Sequence, residues 1–282
     1  MIPARNFGND SLVSFWQKRE MTSYLKRATT IAKKAGELQI QKLGTAHKVE
    51  FKGEINIVTE VDKACEQLIV DYLHAEFPDH DILSEEGSGS RQHSDYKWII
   101  DPLDGTTNYA HAYPFFAVSI ALEHCGEIIL GVVYEPNRNE MFTAEKGKGS
   151  FLNDLPISVS KTKILIESLL VTGFAYNFKK STRANLEHFK NMLFAAQAVR
   201  RDGAAAIDLC YVACGRYDGF WEQNLFPWDV AAGMLIVKEA GGQITDFVSK
   251  DFSIYGKELL ASNRLLHPFL LEVLQNSATI TS

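Results

Sequence analysis

The stretch that most constrains this chain runs from Trp98 to His111 and reads W-I-I-D-P-L-D-G-T-T-N-Y-A-H. Trp98, Ile99 and Ile100 form a short apolar, partly β-branched run, which predicts a buried strand delivering Asp101 to its C-terminal edge. Pro102 then fixes a backbone dihedral, Asp104 returns a second carboxylate close to the first, and Gly105 permits a close backbone approach. Thr106, Thr107 and Asn108 follow at a predicted helix start, where hydroxyls and free N–H groups point at one spot. Asp-Pro and Asp-Gly pairs also make ordinary turns, and Thr and Asn commonly cap helices. A turn alone has no use for both acids, because two close carboxylates repel unless a proton or a cation separates them. The pattern describes a place for hard cations and a phosphate together.

The chain around this stretch has 282 residues, 46% of them apolar and 23% charged, enough for one large or two modest domains with a sizeable core. A net charge of −6, with no basic run longer than pairs such as Lys33–Lys34 and Arg200–Arg201, disfavours a nucleic-acid face. The cysteines at 65, 125, 210 and 214 lack metal or redox spacing and read as small buried thiols in a reducing cytoplasm. With no leader pattern and no apolar run of bilayer length, secretion and membrane insertion are disfavoured and a cytoplasmic protein is expected.

Residues 1–19 lack periodicity and read as an extension. From about Glu20 to Leu43 a helical stripe of Leu25, Ala28, Ile31, Ala32 and Ala35 runs until Gly44. Phe51 to Thr59 is mixed, and Asp62 to Phe77 is again helical. Asp81 to Ser84 reads as a short strand ending in Glu85–Glu86, a pair that by itself would ordinarily be a solvated one. Phe115–His124, Ile128–Tyr134 and Glu140–Ala144 suggest a meander whose hairpins continue to Pro156, so residues 20–160 read as an α+β unit. Residues 161–282 read as an α/β unit. Its predicted strands are Leu169–Thr172, Tyr217–Glu222, Ile244–Phe247 and Leu259–Ser262, and its predicted helices Thr182–Ala196, Gly203–Ala213, Trp228–Ala240 and Leu265–Leu274. The two halves are expected to share an extended interface.

The remaining acids gain meaning from these elements. Asp62 lies at or just inside a helix N-terminus, where a capping role and a functional role are equally open. Glu222 ends one predicted strand, and Asp229 begins the helix that follows. Acids at strand ends and helix starts project into the crevice where layered folds bind ligands, so Asp62, Glu85, Asp101, Asp104, Glu222 and Asp229 are candidates to converge. An all-oxygen set of this size calls for more than one divalent cation, with Mg²⁺ the expected occupant.

The chain resembles the inositol monophosphatase family of Mg²⁺-dependent, lithium-sensitive phosphatases, and is most similar to its bacterial members. The resemblance rests on Trp98–Asn108, on Trp228–Asp229–Val230–Ala231–Ala232–Gly233 with Glu239–Ala240–Gly241–Gly242, and on Lys52, Asp62, Glu85–Glu86 and Arg200–Leu209 in the family's order. It covers about residues 20–275. One departure is Ala204, where many relatives carry Ser or Thr.

This resemblance implies a layered αβαβα sandwich, a homodimer and two or three Mg²⁺ ions. Glu85, Asp101 and the Leu103 carbonyl would hold the first ion. Asp101, Asp104 and Asp229 would hold the second, and Glu85 would help a third. Gly105 and Thr106 would bind phosphate through backbone amides, and Glu222 with the backbone at Ala205 would meet the hydroxyls of a sugar or cyclitol; Asp104 and Asp229 also border the substrate. Glu85, and the Thr106 hydroxyl paired with Asp62, would orient or deprotonate the attacking water. The implied substrate is myo-inositol 1-phosphate or a similar polyol phosphate; related families act on fructose bisphosphate, NADP and adenosine 3′,5′-bisphosphate. A second implied role is binding to transcription machinery.

Overall fold

The computed structural model describes residues 22–45, 49–51, 57–91, 93–174 and 183–277. The extension at residues 1–19 and Lys52 lie outside the described residues.

Two kinds of apolar patterning decide which helices lie outside and which lie inside. Helix α1 (Ser23–Lys42) buries a single stripe of Leu25, Ala28, Ile31, Ala32 and Ala35, and the Thr22 hydroxyl caps it by accepting from the Leu25 N–H. The next helix, α2 (Glu60–Glu76), buries Val61, Cys65, Ile69 and Leu73 on one side. One-sided stripes need one apolar neighbour. α1 and α2 lie together against one face of a seven-stranded sheet and close a core with Trp98, Ile100, Val118, Ile120 and Val132.

That sheet follows the chain in order: β3 (Asp81–Ser84), β4 (Tyr96–Asp104), β5 (Ala117–His124), β6 (Glu127–Glu135), β7 (Glu140–Glu145), β8 (Ser150–Leu152) and β9 (Leu155–Pro156). β3 pairs with β4 in parallel, and the remaining neighbours are antiparallel, as the meander pattern predicts. β4 is longer than the expected Trp98–Ile100 run. Its register with β5 breaks between Asp101 and Asp104, where Pro102, which has no N–H to give a ladder, can be accommodated. Ahead of the sheet, β1 (Val49–Phe51) pairs with β2 (Ile57–Thr59).

In the second half, β10 (Leu169–Thr172), β11 (Ala198–Arg200), β12 (Gly219–Gln223), β13 (Gln243–Thr245) and β14 (Glu258–Ser262) form a five-stranded sheet of order β11-β10-β12-β14-β13. β10 is parallel to both its neighbours, and β12, β14 and β13 are antiparallel. After the short α3 (Thr106–Ala110), helices α4 (Arg183–Ala195) and α7 (His267–Ser277) cover the outer face of this sheet. Helices α5 (Ala205–Ala213) and α6 (Pro227–Glu239) fill the space between the two sheets. Every residue of α5 is buried, as is each from Val230 to Val237 in α6, which is what a helix apolar all round requires. The layers are therefore αβαβα, as the family resemblance implies. The middle layer belongs to the second half in sequence but packs on the sheet of the first.

The cysteines depart from expectation at one position: Cys65 and Cys210 are buried and Cys214 half-buried, but Cys125 is exposed. It lies in the turn between β5 and β6, with φ of 50°, outside both strands.

At the start of α7, His267 is 1% exposed, with Nε2 2.9 Å from Thr245 Oγ1 and Nδ1 2.8 Å from Ser262 Oγ. Thr245 spends its only hydroxyl hydrogen on the Asp246 carbonyl, so it accepts from Nε2–H, and Ser262 donates to Nδ1. Burial of this neutral ring pushes its pKa down to about 4. The unfolded chain takes up a proton on this histidine below about pH 6.5 while the native chain does not. The contribution to stability is therefore complete above that pH and is lost as pH falls toward 4, by about 3 kcal/mol in all. Urea unfolding at pH 7.5 and 5 should show a smaller acid-induced loss for His267→Gln than for the parent chain; equal losses would exclude His267 as the source.

Candidate active site

The turn that ends β4 is held from several directions. Asp101, 2% exposed, accepts the Leu103 N–H on Oδ1 at 2.9 Å, which folds the D-P-L-D turn back on itself. Gln39, fully buried on α1, donates from Nε2 to the Pro102 carbonyl at 2.8 Å, and its own carbonyl accepts from the Tyr109 hydroxyl at 2.8 Å. Gly105 then turns the chain into α3 with φ of 91°, and a Cβ there would stand 2.9 Å from the Phe115 carbonyl oxygen. Both facts require glycine. From α3, Asn108 Nδ2 donates to the carbonyls of Phe115 at 2.8 Å and Asp202 at 2.9 Å, joining this turn to the Arg200–Leu209 segment.

The Asp62 carboxylate caps α2 with one oxygen and reaches Thr106 with the other. Oδ2 accepts from the backbone N–H of Thr59 at 2.9 Å and from its hydroxyl, and Thr59 Oγ1 in turn accepts from the Val61 and Asp62 amides, forming a capping box for α2. Oδ1 accepts from the Thr106 hydroxyl at 2.9 Å. Burial pushes the Asp62 pKa up, and the hydrogen bonds from Thr59 and Thr106 oppose it. The strand-end acid Glu85 is placed by α2 as well. Glu66, fully buried, accepts the Glu86 N–H on Oε2 and the Ser88 N–H on Oε1, each at 2.8 Å, so one carboxylate clamps the loop after β3.

The two halves meet at Asp104. Its Oδ2 accepts the Ala206 N–H at 2.8 Å, so an acid of β4 caps the N-terminus of α5, whose first residue is Ala205. Asp229 occupies the first turn of α6, with Oδ2 accepting the Phe226 N–H at 2.7 Å, and the Ser119 hydroxyl of β5 bonds the neighbouring Trp228 carbonyl at 3.2 Å. Glu222 comes from β12 and is 7% exposed.

The charges of these acids act on one another. Burial raises the Asp101 pKa well above the usual carboxylate range, and the charges of Glu85, Asp104 and Asp229 raise it further. Burial pushes Asp104 up to about 7, with the α5 amides opposing and Glu85 adding to the rise. Asp229 is raised well above its ordinary value by burial and by Asp104, Glu85 and Glu222, against the Phe226 hydrogen bond. Glu222 rises to about 8 through burial, with Arg201 opposing and Asp104 contributing. Among the described residues no three His, Cys, Asp or Glu side chains are drawn together at metal-ligating distance around one point. The donor chemistry nonetheless fits hard divalent cations. It consists of oxygen alone, three of the carboxylates hold one oxygen on a backbone amide, and their mutual repulsion is relieved by positive charge.

Sequence patterning did not single out Gln39 or Glu66, because a polar residue beside a helical apolar stripe looks like a boundary position. Asp208 was passed over for a related reason. It lies buried in α5 with no partner for Oδ1, its pKa raised well above normal by burial and by Asp202, Glu222 and Asp104.

Five layers, with buried acids set at the helix starts of α5 and α6 between the two sheets, define a layered αβαβα sandwich. The inositol monophosphatase family model matches residues 20–279, and the chain belongs to that family. It is 42% identical to an inositol-1-monophosphatase of Synechocystis sp., over 90% of this chain and 90% of that protein. With the Nus factor SuhB of Pseudomonas aeruginosa it shares 43% identity over 90% of this chain and 97% of its relative. The crystal structure of the extragenic suppressor protein suhB from Bartonella henselae superposes with a TM-score of 0.86 at 38% identity, covering 90% of this chain and 98% of that one. Among the described residues no helix is long and apolar enough to cross a membrane.

Proposed function

We propose that this phosphatase is a Mg²⁺-dependent phosphomonoesterase releasing phosphate from myo-inositol 1-phosphate and related polyol phosphates. What supports the reading is that the charges of Glu85, Asp104 and Asp229 all act on buried Asp101, that Asp229 also feels Glu222, and that Thr106 bonds Asp62. Glu85, Asp101 and the Leu103 carbonyl would hold one cation, Asp101, Asp104 and Asp229 a second, and Glu85 would help a third. Bound there, the cations would lower the pKa of water and neutralise charge on the leaving oxygen.

The chain's own residues supply position and proton handling. Thr106 Oγ1 donates its hydrogen to Asp62 Oδ1, so its lone pairs are left to accept a hydrogen bond from the attacking water, and a proton passed to Oγ1 is matched by the Thr106 hydrogen moving on to the Asp62 carboxylate. Glu85 is the second acceptor for that water. The amides of Gly105 and Thr106, which lack partners within the first turn of α3, hold phosphate oxygens. Asp104 and Asp229 border the ester oxygen, and Glu222 with the Ala205 backbone receives the polyol hydroxyls. Electrostatic positioning supplies most of the rate, as phosphoryl transfer requires little else of a protein.

Phosphate release with and without Mg²⁺, measured on inositol, sugar and nucleotide phosphates, tests this reading; Mg²⁺-dependent release that favours the polyol substrate supports it. A flat signal across the panel would overturn it in favour of binding to transcription machinery, the role suggested by relatives named Nus factor SuhB. Glu222→Gln should raise KM for inositol 1-phosphate roughly tenfold, as expected for weakening a charge-assisted hydrogen bond worth about 1.5–3 kcal/mol, and should affect a small aryl phosphate far less. Equal slowing of both substrates with an altered Mg²⁺ requirement would instead place Glu222 among the metal ligands. We take the working form to be a cytoplasmic homodimer, and a one-chain solution mass at micromolar concentration would overturn the dimer.

A further inference from the structure

Glu222 does not hold its position alone. β10 and β12 run side by side in parallel with Thr172 opposite Trp221, which brings Gly173, the next residue of the first strand, level with Glu222. The Glu222 carboxylate lies on the bare α-carbon of Gly173: a Cβ there would stand 2.1 Å from Glu222 Oε2 and 2.5 Å from its Cδ. The nearest atoms a methyl group would meet all belong to this carboxylate, and the Gly173 backbone is not in the left-handed region. Glu222 is therefore the first obstacle a side chain at this position would meet.

The seat is fixed by a buried network. Asn185 of α4, 1% exposed, donates from Nδ2 to the Gly173 carbonyl at 2.6 Å and accepts from Trp221 Nε1 on Oδ1 at 3.0 Å. The orientation of this amide is set by its partners, since an indole N–H only donates and a carbonyl only accepts. On the other side, the Thr172 hydroxyl donates to the Trp221 carbonyl at 2.5 Å. Side chains on either side of the seat therefore tie the end of β10 to the residue immediately before Glu222. Neither Gly173 nor Asn185 belongs to the cluster of acids proposed for metal.

We propose that Gly173 and Asn185 are specificity-determining positioning residues that seat the Glu222 carboxylate for recognition of polyol hydroxyls. The inference rests on the reading of Glu222 given above. Displacing the carboxylate by a single methyl group moves it into the space a polyol would occupy, while the groups acting on the phosphate come from other elements.

The test is a double-mutant cycle of Gly173→Ala and Glu222→Gln, read as kcat and KM on inositol 1-phosphate and on p-nitrophenyl phosphate. Gly173→Ala should lower the polyol-to-aryl ratio of kcat/KM about tenfold, mainly through KM of the polyol. In the Glu222→Gln background it should change that ratio less than twofold. A ratio that falls with Glu222→Gln but not with Gly173→Ala overturns the seat and leaves the reading of Glu222 intact. If Glu222→Gln itself leaves the ratio unchanged, the reading of Glu222 fails, and the seat fails with it. An equal effect of Gly173→Ala in both backgrounds shows that it acts elsewhere and also overturns the inference. Asn185→Ala provides a second route if Gly173→Ala does not fold. It should lower the same ratio severalfold, again only while Glu222 is present, and equal losses on both substrates would count against it.

Discussion

Asp101→Asn should abolish phosphate release while leaving the chain folded. Asp101 is nearly fully buried, its Oδ1 is held by the Leu103 amide, and the charges of Glu85, Asp104 and Asp229 all act on it. As the proposed ligand shared by two cations, it cannot lose its charge without weakening both sites. Asparagine keeps the shape and the hydrogen bond from Leu103. We expect turnover to fall by about three orders of magnitude, the upper range for loss of one electrostatic contact at a reacting centre. Thermal unfolding provides an independent readout. In chelator the variant should be at least as stable as the parent, because one of several repelling carboxylates is gone, and the Mg²⁺-induced rise in Tm should largely disappear. Retention of most of the turnover at saturating Mg²⁺ would exclude Asp101 as the shared ligand.

Thr106→Ala should lower kcat by about a hundredfold on polyol and aryl phosphates alike, within the range that one positioned proton acceptor contributes. The Thr106 hydroxyl is 2.9 Å from Asp62 Oδ1 and 3.1 Å from the Leu103 carbonyl. Removing it disconnects Asp62 from the proposed water, whatever alcohol leaves. Thr106→Ser should restore most of kcat, because it returns the oxygen without the methyl group. Asp62→Asn would be a less clean probe, since Asp62 also caps α2 and its loss would mix stability with chemistry. A Thr106→Ala effect seen only in KM, or on one substrate alone, would remove Thr106 from the proton path.

Local chemistry made much of this legible. The stripe of Leu25, Ala28, Ile31, Ala32 and Ala35 needed only a 3.6-residue period to announce a one-sided helix, and the small residues from Gly203 to Ala213 announced a second helix, whose complete burial the structure adds. The meander from Phe115 to Pro156 was visible as alternating runs between turns, and Asp101, Asp104 and Asp229 could be placed at element ends because strands and helices were. Ala198–Arg200 was missed as a strand, since three residues with one β-former carry no period of their own; it is a strand because β10 offers it an edge. The helix expected from Gly203 begins instead at Ala205, as Gly203 takes φ of 86°.

By itself, then, the sequence determined which segments form helices and strands, which bury one face, and which acids lie at segment ends, because those properties depend on residues a few positions apart. The contact of Asp62 with Thr106 across 44 residues, implied by the family resemblance, is recorded in no local pattern, and only the tertiary structure decided that Asp104 caps α5 across 102 residues. It also decided the partners of Gln39, Glu66 and Asn185, whose side chains are buried yet polar. A buried polar group is stable only where a distant segment supplies its hydrogen bond, and no local period records where that segment will lie.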